Sequence, residues 1–142
     1  MEINLSIDLL LIANAVFCFV LTGLILTIQL VHYPLFLKIK PENFSNYEKA
    51  HTKKITVLVA PLMIAELLLA FLLFFQSTNI TSFILLILVA LIWSSTFFIQ
   101  VPLHSKLVEN YSKEHIQKLI KSNWIRTIIW LARSAIFVYL FF

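Results

Sequence analysis

Four segments of about 20 apolar residues, each without lysine, constrain the fold of this chain more than any other feature. They run over about 9–31, 55–75, 80–101 and 124–142. An α-helix needs about 20 predominantly apolar residues to cross the roughly 30 Å hydrocarbon core of a bilayer. Because these segments take up most of the 142 residues, we expect residues 1–142 to form a single transmembrane domain with no separate soluble part.

The distribution of apolar residues favours helices over strands. A strand of a membrane barrel alternates apolar and polar residues over about 10 positions, whereas residues 83–93 are apolar throughout. A helix of a soluble bundle keeps a charged face, whereas residues 67–75 are apolar all round. Only 13% of the residues are charged, against about 25% in soluble domains. The sequence therefore predicts an all-α integral membrane four-helix bundle.

The lysines predict a topology. All nine lie in two connections, 32–54 and 102–123, while residues 76–82 carry no charge. Lysine-rich loops stay on the cytoplasmic side of a membrane, so we expect both termini on the opposite side and an antiparallel, up-and-down bundle. Each lysine-rich loop is expected to be amphipathic and to lie along the lipid headgroups. We interpret the net charge of +4 as a topology signal, not as a sign of nucleic-acid binding.

Polar residues concentrate where the apolar segments meet the lysine-rich loops. Polar groups in hydrocarbon are costly, so they pair with each other or mark a functional site. We take His104, His32 and Arg126 as candidate catalytic residues. The candidate substrate-binding residues are Gln29, Tyr33, Trp93, Gln100, Asn123 and Trp130. Together they predict a polar cluster at the cytoplasmic mouth of the bundle.

Two charged residues lie deeper in the apolar segments. Helical rise places Glu66 roughly 16 Å and Arg133 roughly 13 Å from the cytoplasmic ends of their helices. Similar depth predicts a buried ion pair. Such a pair either fixes the mutual rotation of two helices or belongs to a site, and both interpretations stay open.

Three histidines, His32, His51 and His104, lie at the cytoplasmic ends of three different segments. They could converge on a metal, a haem or a proton path, or each could hydrogen-bond headgroups and loop backbone. No H-x-x-H, H-x-x-x-H or C-x-x-C spacing is present. We therefore predict no metal site and no cofactor, with haem as an alternative.

The C-terminal half carries two motifs. Residues 101–107 (VPLHSKL) follow the third apolar segment, and residues 123–127 (NWIRT) lie at the start of the last one. They resemble the anthrone-oxygenase-like family of small four-helix membrane proteins, with its "VPLN" turn and "WN..RT" helix entry. This chain has His104 where the family has Asn, and the order of Asn123 and Trp124 is inverted. The resemblance implies oxygenation of a polycyclic phenol without metal or flavin, with His104 or His32 as base and Arg126 as the cation that holds the anion.

Three function classes remain. The first is a structural or accessory membrane protein, such as a subunit of a homo-oligomer. The second is a membrane-embedded oxidoreductase or oxygenase acting on a lipophilic, anthrone- or quinol-like aromatic. The third is a haem- or metal-binding membrane protein. The expected partners are the lipid bilayer and a lipophilic small molecule, and no nucleic acid.

Overall fold

The computed structural model describes residues 5–141, and this part of the chain is helical with short connections and no strand. Residues 1–4 of the predicted domain and Phe142, the end of the fourth apolar segment, lie outside the described residues. The elements in chain order are α1 (Leu5–Thr27), a π-helix π1 (Ile28–His32), α2 (Tyr33–Phe36), α3 (Pro41–Gln76), α4 (Ile80–Ser95), a second π-helix π2 (Thr96–Gln100), α5 (Val101–Glu109) and α6 (Lys113–Phe141).

These elements form four long helices of 29 to 36 residues, each long and apolar enough to cross a membrane. They run over Ser6–Phe36, Pro41–Gln76, Ile80–Glu109 and Lys113–Phe141. At 1.5 Å per residue they reach roughly 44 to 54 Å, well beyond a hydrocarbon core of about 30 Å. Length and composition together indicate a multi-pass membrane protein.

The lysine-rich connections are shorter than the sequence predicted. We expected separate amphipathic segments over 32–54 and 102–123, but most of these residues continue the long helices, leaving only 37–40 and 110–112 as connections. The reason is burial: Phe44, Leu107 and Ile116 are fully buried where the extended helix ends meet. A helix with an apolar stripe packs that stripe against a neighbouring helix when one is available, and does not then lie along the lipid headgroups.

The helices pack in a closed ring, in which α1 contacts α3, α3 contacts α4, α4 contacts α6, and α6 contacts α1. Their inner faces meet in one core that includes Ile92, Trp130 and Phe137. The outer faces carry large exposed apolar side chains, such as Phe98 at 81% and Tyr139 at 84%. An apolar exterior around an apolar core suits a lipid environment.

Both π-helices precede a proline. Pro34 is the second residue of α2, and Pro102 is the second residue of α5. A proline inside a helix has no N–H to donate, and its ring crowds the carbonyl four residues earlier. The helical turn is wider there, and the Tyr33 N–H donates a hydrogen bond to the Ile28 carbonyl, five residues earlier. The extra residue in each wide turn shifts which side chains face the core.

The other helix starts follow local signals. Pro41 is the first residue of α3, where a missing N–H costs no helical hydrogen bond. At the start of α4, the Asn79 side chain accepts a hydrogen bond from the Ser82 N–H over 2.9 Å, and the Ser82 hydroxyl group faces back to the Asn79 N–H. This capping box closes the uncharged connection between α3 and α4.

Candidate functional site

A cavity of about 210 Å³ lies inside the ring of helices, toward the lysine-rich end. Its wall is mostly apolar and is contributed by all four long helices. Its polar lining residues are Tyr33, Thr56, Trp93, Thr96, Gln100, His104, Arg126 and Trp130. Two of its wall residues, Phe97 and Val101, are about half exposed on the outer surface. The cavity therefore borders the surface that would face lipid.

Six of the nine predicted catalytic and binding residues line this cavity. They are Tyr33, Trp93, Gln100, His104, Arg126 and Trp130. The other three, Gln29, His32 and Asn123, lie elsewhere. Thr96, Gln100 and His104 share the wall because the π2 turn and the start of α5 present them to the same space.

Two residues of the cavity wall, Tyr33 and His104, belong to a hydrogen-bonded chain of three side chains. The Tyr33 hydroxyl oxygen lies 2.9 Å from His104 Nε2. On the other side of the imidazole, His104 Nδ1 bonds Glu48 Oε1. Glu48 is fully buried, and its second oxygen has no hydrogen-bond partner among the described residues. A carboxylate that accepts from Nδ1 leaves Nε2 free to accept a proton, as in acid–histidine–hydroxyl catalysis.

The sequence interpretation missed Glu48, because it placed residue 48 in a loop. The missed signal was the spacing of Phe44, Glu48 and His51. These residues step by four and three, which puts them on one helical face, and all three are buried in α3.

Arg126 provides the positive charge of the cavity. Its side chain is only 7% exposed. Arg126 Nη1 donates to Thr96 Oγ1 over 3.2 Å, and Nε donates to Asn123 Oδ1 over 3.1 Å. Within residues 5–141, no carboxylate forms an ion pair with this guanidinium group. A buried cation with only neutral partners is costly, so this one favours a ligand that brings an anionic or strongly polar oxygen.

Gln29 and Asn123 position Arg126 and do not line the cavity. Asn123 Nδ2 donates to Gln29 Oε1 over 2.8 Å, and Gln29 Nε2 donates to the Ile120 carbonyl over 3.1 Å. This chain links π1 to α6. Asn123 then offers its oxygen to Arg126, so the two amides hold the guanidinium group in place.

Two polar groups on the cavity wall have no partner among the described residues. They are Trp93 Nε1, a donor, and Gln100 Oε1, an acceptor, and both atoms are buried. The other end of the Gln100 amide donates to Ser122 Oγ over 3.0 Å, which fixes its orientation. Unpaired buried groups cost free energy unless a ligand or water satisfies them.

His32 lies outside the cavity. His32 Nε2 is 2.9 Å from His51 Nδ1, and both residues line a neighbouring groove of about 470 Å³ between α1 and α3, which shares Leu24, Ile28 and Ile55 with the cavity wall. The three histidine rings do converge, with centroids 4.6 Å apart for His32 and His51 and 5.7 Å apart for His51 and His104. Rings that hydrogen-bond each other are not placed on opposite sides of an iron, so this geometry lends haem no support.

In the part of the chain that the structure describes, no three or more His, Cys, Asp or Glu side chains are arranged to hold a metal ion.

A second buried polar network lies deeper in the bundle. Arg133 Nη1 is 3.3 Å from Glu66 Oε1, and both side chains are inaccessible. Arg133 Nη2 donates to Asn14 Oδ1 over 2.8 Å, and Trp130 Nε1 donates to the Glu66 carboxylate over 3.2 Å. The network therefore ties α1, α3 and α6 together. Trp130 also lines the cavity, so it connects the two polar regions.

Comparisons with protein-family models, with curated proteins and with solved structures return no match for this chain. The resemblance to the anthrone-oxygenase-like family therefore depends on the two motifs alone and stays a prediction. Of the motif residues, Val101, His104 and Arg126 line the cavity, whereas Asn123 supports Arg126.

Proposed function

We propose that this protein binds a lipophilic phenol or quinol in its internal cavity and exchanges a proton with it. The observation that carries the proposal is Arg126, a buried cation with no carboxylate partner among the described residues, in the wall of a mostly apolar cavity. A phenolate oxygen would supply the missing negative charge, and an aromatic ring would fill the apolar space. Preorganised cations of this kind stabilise an anion that forms during a reaction.

The size of the cavity narrows the ligand class. An apolar cavity of about 150 Å³ holds a benzene molecule, and the cavity here is about 210 Å³. It suits a ligand of one or two rings. Within the alternatives left by the sequence, this favours a quinol over a tricyclic anthrone.

The chain of Tyr33, His104 and Glu48 supplies the acid–base chemistry. The Tyr33 oxygen takes the ligand's hydroxyl proton while the Tyr33 proton passes to His104 Nε2. Glu48 then stabilises the imidazolium that forms, and Arg126 holds the phenolate. The ligand loses one proton and His104 gains one, so the protein and ligand together keep the same number of protons, and each transfer runs along a hydrogen bond or to a bound oxygen.

The family resemblance extends this proposal to oxidation. An electron-rich phenolate reacts with dioxygen more readily than the neutral phenol does. A quinol would pass two electrons and two protons to dioxygen, giving a quinone and hydrogen peroxide. The co-reactant is dioxygen, and the protein's part is to hold and deprotonate the quinol.

We further propose that the four helices run antiparallel across the membrane, with the lysine-rich connections in the cytoplasm. Two single cysteine variants test this, Lys40→Cys in one connection and Thr78→Cys in the uncharged one; Cys18 is buried and gives little background. In intact cells, a membrane-impermeant maleimide should label Thr78→Cys and leave Lys40→Cys unlabelled. The reverse pattern would invert the topology.

Ligand binding is tested with 1,4-naphthoquinol under argon, using the fluorescence of the cavity tryptophans Trp93 and Trp130 as the signal. We expect quenching in the wild-type protein and at least tenfold weaker binding in Arg126→Gln. The matched control is Lys113→Gln, which removes an exposed positive charge from the same helix and should leave binding unchanged. Equal binding by wild type and Arg126→Gln would refute the proposal.

The two other function classes predict different results. If the protein is structural or accessory, naphthoquinol should not quench its tryptophan fluorescence, and the protein should tolerate substitution of both Arg126 and His104. A haem protein would show a Soret absorption band after mild detergent purification. A visible spectrum of the purified protein therefore identifies a haem protein, and the quenching experiment separates a structural protein from a quinol-binding one.

A further inference from the structure

A groove of about 560 Å³ lies on the outside of the bundle, between π2, α5 and α6. It is separate from the internal cavity and shares no lining residue with it. Its lining residues include the basic Lys106, Lys118 and Lys121 and the apolar Phe98 and Pro102. The proposed binding of a quinol does not use this groove.

The three lysines come from two different helices, and they line the same groove because α5 packs against α6. Among residues 5–141, no acidic residue lines the groove. Lys118 also pairs with Glu114 over 2.7 Å, but both side chains are more than half exposed. An exposed ion pair of this type contributes little, so Lys118 stays available to another anion.

Within the groove, the apolar Phe98 lies along the same long helix as Lys106. Phe98 and Lys106 are eight residues apart, which corresponds to roughly 12 Å of helix. Phe98 is 81% exposed. An anion seated at the lysines would therefore leave an attached apolar chain running over Phe98, so the groove fits a molecule with an anionic head and an apolar tail.

We propose that this groove binds an anionic glycerophospholipid, with its phosphate against Lys106, Lys118 and Lys121 and an acyl chain against Phe98. Basic pockets between membrane helices commonly hold phosphate headgroups in this way. The charge and the apolar wall favour this occupant over a free anion, which would not need Phe98, and over a second copy of the chain, whose matching face would repel these lysines.

A second outer groove provides a comparison. The groove between α1 and α3 is also apolar but has one lysine, Lys54, among its lining residues. Near the membrane surface each lysine strengthens attraction to anionic lipid by about 1 kcal/mol, or roughly fivefold. The groove with three lysines should therefore discriminate more strongly between anionic and zwitterionic lipids.

The experiment uses the full chain in detergent and measures lipid retention by native mass spectrometry, with phosphatidylglycerol and phosphatidylcholine of the same acyl chains. We expect the wild-type protein to retain phosphatidylglycerol preferentially. The triple variant Lys106→Gln, Lys118→Gln, Lys121→Gln should lose most of this preference, with affinity down by up to about a hundredfold. The matched control is Lys40→Gln, Lys49→Gln, Lys53→Gln, which removes the same charge from exposed positions outside both grooves and should keep the preference.

Three outcomes would overturn the proposal. Equal loss in both triple variants would mean that overall charge, not this groove, attracts the lipid. Competition by millimolar inorganic phosphate would indicate a site for a soluble anion. A change of oligomeric state in the groove variant, with lipid preference retained, would assign the face to a second copy of the chain. The single variant Lys106→Gln repeats the measurement if the triple variant does not fold, and it should lower the affinity about fivefold.

Discussion

The hydroxyl group of Tyr33 lies 2.9 Å from Nε2 of His104, although 71 residues separate the two in the chain. Each residue follows a π-helix that precedes a proline, Tyr33 after π1 and His104 after π2. The two π-helical turns thus orient the side chains of Tyr33 and His104 toward each other. Glu48 accepts a hydrogen bond from Nδ1 of the same imidazole. Nε2 can therefore accept a proton from the Tyr33 hydroxyl group.

Tyr33→Phe removes the hydroxyl group and keeps the ring in the core. If Tyr33 relays the proton, naphthoquinol oxidation in air should fall by at least tenfold while binding under argon stays near the wild-type level, because general acid–base catalysis contributes about 10²- to 10⁴-fold. Hydrogen peroxide release measures the rate. The control is Tyr47→Phe, a change on the more exposed face of α3 outside the cavity wall. It should change neither the rate of hydrogen peroxide release nor the binding of naphthoquinol.

Ala60→Leu fills part of the cavity with apolar atoms. Ala60 lines the cavity, so the larger side chain should weaken naphthoquinol binding at least tenfold without lowering the melting temperature. Ala132→Leu makes the same change at an exposed position of α6 and should leave binding intact. Undiminished binding by Ala60→Leu would place the ligand elsewhere.

Glu66→Gln should destabilise the protein more than the double variant Glu66→Gln, Arg133→Gln. The single change leaves the buried Arg133 charge uncompensated, which typically costs about 3 to 5 kcal/mol, whereas removing both charges avoids that cost. The free energy of unfolding in mixed detergent micelles measures both variants. If the two are equally impaired, the Glu66 to Arg133 pair does not act as a unit.

Pro102→Ala restores a backbone N–H two residues after π2. The restored donor can bond the carbonyl of Phe98, which removes the reason for the wide turn. We expect α5 to rotate, His104 to lose its contact with Tyr33, and oxidation of naphthoquinol to fall, with a melting temperature equal to or above the wild-type value. Unchanged activity would show that the proline does not set the position of His104.

Much of the site could be expected from the sequence. Trp93, Gln100 and His104 were predicted as site residues from their place near the lysine-rich end of the third apolar segment, and all three line the cavity. His32 was grouped with them but does not line the cavity, because its position at the end of an apolar segment does not determine which way its side chain faces. It turns toward His51 and the outer groove between α1 and α3.

The sequence by itself determined the number of long apolar helices and the concentration of polar residues at their lysine-rich ends, because hydrophobic length and charge are local properties of the chain. The tertiary structure alone decided which polar groups meet. Glu48 reaches His104 across 56 positions, and Arg126 is left without a carboxylate among the described residues. The physical reason is that these contacts depend on how each helix is rotated about its axis. Packing across the core and the two wide turns before Pro34 and Pro102 set that rotation.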